Sequence, residues 1–83
     1  MASETIHLVQ AFVAGRGKGL KSEQPIKCAS AAEALRRAER LSPLREGVIA
    51  FTMTVDAELG DFDERPTVLF KSGRLAGQFE ELN

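Results

Sequence analysis

Arg16 and Lys18 alternate with glycines in Gly15-Arg16-Gly17-Lys18-Gly19, and Lys21 follows closely. Glycines let backbone N–H groups close on an anion while the cations neutralise it, so the stretch has the composition of a phosphate cradle. The spacing is not that of a known cradle. A Walker loop requires G-x-x-x-x-G-K-[ST] between strand and helix, and Leu20 stands five residues after Gly15. A dinucleotide fingerprint would also open a helix, whereas this stretch lies between two strand-like segments. A solvated hairpin loop is the simpler reading, with anion or RNA contact through Arg16, Lys18 and Lys21 as the alternative.

A second concentration of charge runs from Asp56 to Arg65 and offers Asp56, Glu58, Asp61, Asp63 and Glu64 as oxygen ligands. An EF-hand register starting at Asp56 puts Gly60 at its fifth position and Thr67 at its twelfth, where a bidentate glutamate is needed. The register fails, and a solvated hairpin tip is favoured over weak divalent-ion binding. Paired carboxylates need a shaped pocket to act as acid and base, which a hairpin tip does not provide. His7 and Cys28 are the remaining reactive pair. A histidine beside a thiol can activate it, but strand register is not readable here, and a buried inert thiol is the simpler expectation. No catalytic constellation, metal site or cofactor motif emerges: with one His and one Cys, a thiolate and imidazole zinc site within one chain is unsupported.

The 83 residues make one domain, 1–83, with residues 1–4 and about 76–83 expected to be flexible. A chain this short has a modest core, and the single cysteine excludes an internal disulfide, which leaves self-association as the simplest supplement. No apolar run is long enough for a membrane span and no secretory signal is evident at the N-terminus, so the expected location is cytoplasmic. The net charge of −1 gives no global attraction to nucleic acid, but its distribution is uneven. Residues 1–45 carry eight Lys/Arg against four acids, and residues 46–83 carry three against eight.

The element that must organise these residues is Ser30 to Leu41, SAAEALRRAERL. Ala31, Ala34, Leu35, Ala38 and Leu41 form one apolar stripe, and Glu33, Arg36, Arg37, Glu39 and Arg40 form the opposite arc. Ser30 and Glu33 have capping-box spacing, and Ser42-Pro43 marks the end. Leu35 and Leu41 are the expected apolar anchors on the sheet. An arginine pocket for phosphate or carboxylate on the charged arc is the minor alternative to a solvated face.

Four strands are expected around this helix: Thr5 to Ala14, Pro25 to Ala29, Gly47 to Val55 and Pro66 to Ser72. The first and third are apolar on both faces. The second and fourth each combine a proline with a lysine, which suits edges. The fold class is therefore α+β, β-β-α-β-β, a four-stranded antiparallel sheet in the order 2-1-3-4 with one helix on one face. Leu75, Phe79 and Leu82 have spacing for a short C-terminal helix, interrupted by Gly77. In this topology the acidic tip lies at the helix N-terminus and the basic loop at its C-terminus, so both complement the helix dipole without any ligand.

Residues 28 to 74, CASAAEALRRAERL through GVIAFTMTVDAELGDFDERPTVLFKSGRL, resemble small uncharacterised proteobacterial proteins. The resemblance carries no motif of known activity, implies a free-standing bacterial protein and transfers no site residues. Function is thus approached through apolar surface. One helix covers one sheet face, so a homo-oligomerising or protein-binding module using Ile49, Phe51, Met53 and Val55 is the leading expectation. The alternative is a small anion- or RNA-binding protein using the Gly15 to Lys21 loop, with Arg36 and Arg40 added from the helix. An enzyme with a site completed across a dimer has no residues to support it.

Overall fold

In the computed structural model the chain runs β1 (Ser3–Ala14), β2 (Leu20–Ser22), β3 (Ile26–Cys28), α1 (Ala31–Leu41), a 3-10 turn at Ser42–Leu44, β4 (Gly47–Asp56), β5 (Asp61–Phe62) and β6 (Thr67–Gly73). The structure describes residues 3–17, 19–56, 61–62 and 66–75. β1 and β4 are the two long apolar segments. They pair antiparallel in one unbroken register, from Ser3 opposite Asp56 to Phe12 opposite Gly47. β2 and β3 share the outer edge of β1, and β5 and β6 share the outer edge of β4, all antiparallel.

The class is the expected α+β, and the two apolar strands are central. The strand order differs from 2-1-3-4 in that each edge is divided. The expected second strand is β3, and β2 is an additional strand within the segment expected to be loop; on the other edge the expected fourth strand is β6, and β5 is an additional short strand within the acidic stretch. Lys21 accordingly belongs to β2 and not to the glycine loop, which closes tightly through Gly15 N–H to Gly19 O and Gly19 N–H to Arg16 O, at 2.8 and 3.0 Å.

The division of the first edge has a physical cause. Phe12 pairs with Ser22 and Val9 with Ile26, so Gln10 and Ala11 stand opposite Glu23, Gln24 and Pro25. The extra residue is a bulge, and the proline, which has no N–H to donate, sits inside it. Gln10 is 7% exposed, and its amide closes the gap by donating to the carbonyls of Ala11 and Glu23, while Glu23 N–H donates to Ala11 O at 2.9 Å. A second irregularity in β6 leaves Leu69 extra between the pairs Ala50–Phe70 and Phe51–Val68.

Ser30 caps α1, its Oγ accepting from Glu33 N–H at 3.1 Å. The Glu33 carboxylate reaches one residue further back than a capping box requires and accepts Ala29 N–H at 2.8 Å. Ser42 remains helical despite preceding Pro43, and the chain passes directly into the 3-10 turn, where a proline in the first turn leaves no intrahelical bond unmade. α1 lies over Val9 and Ala11 of β1, Val48 and Ala50 of β4, and Ile26 and Cys28 of β3, with Leu69 and Phe70 at the other side. Ala34 and Ala38 are fully buried, and Leu35 and Leu41 are only half-buried. The helix therefore rests chiefly on its alanines, which allow close approach, with Leu41 of the two expected anchors packed at the margin of the cluster.

Beyond β6 the backbone turns at Gly73, whose φ of 73° is left-handed and favours glycine. Arg74 N–H then donates to Glu46 O at 2.9 Å. A Cβ on Gly47 would collide with the Arg74 carbonyl backbone, so the crossing of these two segments requires glycine there. Gly47→Ala should cost about 2 kcal/mol or more and lower the midpoint of urea unfolding accordingly. Gln10→Ala, which strips the bulge carbonyls of their side-chain donor, should cost about 1–3 kcal/mol in the same measurement.

Candidate functional site

Residues that alternate along β1 and β4 separate into two faces. The face opposite α1 carries Ile6, Leu8, Gln10 and Phe12 from β1 and Ile49, Phe51, Met53 and Val55 from β4. The four residues expected to form an interface thus lie on the side away from the helix. That face is not bare. Phe12, Ile49, Phe51 and Leu75 form a second core cluster, with Ile49 0% and Phe51 7% exposed. Leu75 reaches this cluster because the chain turns back after Gly73, whereas Phe79 and Leu82 lie outside the described residues.

Burial on this face fades along the strands. Leu8, Met53 and Val68 pack against the cluster but are only partly buried, and Ile6 and Val55 beyond them are half-buried. At the margin Lys27 Nζ meets Glu4 Oε1 at 3.4 Å, an exposed ion pair worth little energetically. The half-buried stretch is therefore apolar, contiguous and bordered by charges of both signs. Met53 and Val55, two of the four expected interface residues, belong to it; Ile49 and Phe51 are enclosed within the chain. Leu8 belongs to the face of the first strand that alternation matches to this stripe, whereas Val68 is not legible as a partner because the β6 irregularity interrupts the alternation there.

On the helix side, His7 stands opposite both Cys28 and Thr52. The register thus brings His7 and Cys28 together, but the imidazole is engaged elsewhere: its Nδ1 lies 2.8 Å from Thr52 Oγ1. Burial pushes the Cys28 thiol pKa up, the Glu33 carboxylate adds to this, and the Arg37 guanidinium beside it acts in the opposite direction. A buried thiol with a raised pKa is protonated at neutral pH and is a poor nucleophile.

Among the described residues no cluster of His, Cys, Asp or Glu could hold a metal ion. Glu58, Asp63 and Glu64 of the acidic stretch lie outside the described residues, as does Lys18 of the basic loop. Arg16 and Lys21 are exposed at the end of the sheet where β4 begins, and Arg36 and Arg40 are exposed on the helix. Searches against family models, curated proteins and solved structures each give no significant match.

The thiol geometry predicts slow alkylation of native Cys28. Its rate with iodoacetamide should be at least about tenfold below that of the urea-unfolded chain at pH 8, and its rise with pH should be displaced upward. Because the folded pKa lies above the unfolded one, folding stability should fall as pH climbs past the ordinary thiol range, a trend absent in Cys28→Ala.

Proposed function

We propose that the chain is a small self-associating module in which a second copy packs against the half-face formed by Ile6, Leu8, Met53, Val55 and Val68. The observation that carries this reading is the incomplete burial of one continuous apolar face: its Phe12 to Phe51 portion is enclosed and its continuation is not. Contiguous exposed apolar surface favours an interface over solvent. A second copy is the fitting occupant because a two-fold contact sets a patch against itself, and this patch has a balanced border. With Glu4 and Lys27 side by side, a two-fold can place acid against base and avoid like-charge contact.

With only five half-buried side chains to contribute, the association is weak, with a dissociation constant on the order of micromolar or above. The reading places the protein in the cytoplasm, where a lone buried thiol such as Cys28 stays reduced. Analytical ultracentrifugation from about 10 μM to about 1 mM tests self-association. The wild-type mass should rise toward twice the monomer, whereas Met53→Asp and the more peripheral Val55→Lys should stay monomeric with unchanged circular dichroism. A wild type that remains monomeric throughout, or variants that associate equally well, would overturn the reading.

A further inference from the structure

We propose that Arg16, Lys21, Arg36 and Arg40 form a binding surface for the phosphate backbone of a nucleic-acid duplex, on the helix side of the β2/β3 edge. The first support is the way ion pairing divides the cations. Lys27 is held by Glu4, Arg37 by Glu33 at 3.7 Å, Arg45 by Glu23 at 2.6 Å and Arg74 by Glu46 at 4.0 Å. Among the described residues Arg16, Lys21, Arg36 and Arg40 have no such partner, and all four are exposed.

The second support is placement. Lys21 stands opposite Val13 and so shares the face of Val9 and Ala11, which is the helix side. The flank of α1 carrying Glu33 and Arg37 faces the same edge, because both side chains act on Cys28 of β3. Arg40 follows Arg37 by three residues and extends that flank toward the helix C-terminus, with Arg36 four residues before it on the outer surface. The C-terminal end of α1 and the Gly15–Gly19 turn are at the same end of the sheet, since Glu46 N–H bonds Phe12 O at 2.9 Å just after the helix. Glu33 and Glu23 are occupied in ion pairs; Glu39 is on the flank away from β3 but stands three residues after Arg36, so it borders the surface on that side.

Complementing the helix dipole is effective chiefly within the last turn. It accounts for Arg40 and, more weakly, for Arg16 in the loop at the same end of the sheet, and leaves Arg36, in the middle of the helix, unexplained. The class of nucleic acid follows from what the surface lacks. Single-strand binders stack bases on exposed aromatics, whereas among the described side chains Phe12 and Phe51 are buried and Phe70 packs beneath the helix, and the chain has no Tyr or Trp. A surface of cations without stacking platforms suits the dense charge of a duplex.

Fluorescence anisotropy with labelled duplex RNA, duplex DNA and single-stranded RNA of roughly 20 nucleotides per strand tests this. At least one duplex should bind at about 50 mM salt, with affinity falling on the order of 100-fold by about 200 mM if four phosphates are neutralised. The combined variant Arg16→Ala, Lys21→Ala, Arg36→Ala and Arg40→Ala should abolish binding while melting like the wild type, and Lys27→Ala should bind normally. Undiminished binding by the combined variant, equal loss in Lys27→Ala, tighter binding of the single strand, or no duplex binding at low salt would each overturn the proposal. The surface lies across the sheet from the self-association face, so Met53→Asp should retain duplex binding and the two proposals fail independently.

Discussion

The pairing of β1 with β4 imposes the constraint from which the remaining structure follows. Both strands are apolar on both faces, so their ten-residue register generates two surfaces that must leave water. The two are closed differently. Under the helix the side chains are small, Ala11 and Ala50 meeting Ala34 and Ala38, which allows the helix backbone to approach the sheet closely. On the other face the volume comes from the sheet and the returning chain themselves, through Phe12, Ile49, Phe51 and Leu75. Close packing requires such a match between side-chain size and the distance to the covering element.

The edge strands serve this two-sided core by changing parity. A regular strand sends every second residue to one face, so Leu20 and Ile26 would share a side. They do not: Leu20 packs with Phe12 and Ile49, and Ile26 packs with Val9 and Cys28. The bulge at Glu23 to Pro25 makes the exchange, and Gln10 supplies donors for carbonyls left in the irregular segment. In β6, Val68 and Phe70 are likewise sent to opposite faces by the extra Leu69. Bulges also discourage edge-to-edge pairing, so the same irregularities that fill two cores protect both edges.

The helix, its Ser30 cap and the central position of β1 and β4 were legible in the sequence because each is written in local spacing and residue type. The bulges were not, since Gln10 reads as an ordinary polar residue until its amide is seen bonding across to Glu23. The same limit affects the apolar surface. Alternation identified the stripe of Ile49, Phe51, Met53 and Val55, but Leu75 lies in a polar stretch after Gly73, and its return to cover part of that stripe depends on the left-handed turn and the Gly47 crossing. Charge was readable as a sum and as a gradient along the chain. Which of the described cations form ion pairs depended on tertiary placement, such as Arg45 with Glu23 across twenty-two residues.

The placement of His7 shows why a register match does not by itself make a reactive pair. Strand register brings its backbone opposite Cys28, the arrangement from which an activated thiol could be built. Activation requires more than register: the imidazole must be aimed at a thiol whose ionised form is favoured. His7 instead meets Thr52, and Cys28 is held in its protonated form by burial, with the nearby Glu33 opposing ionisation further. Arg37 would favour the thiolate, but it also sits within reach of the Glu33 carboxylate, which tempers that effect. The helix that encloses one core thus removes the chemistry its own edge strand could have supplied. Among the described residues, what remains outside the cores is an apolar half-face on one side of the sheet and cations without an ion-pair partner on the other.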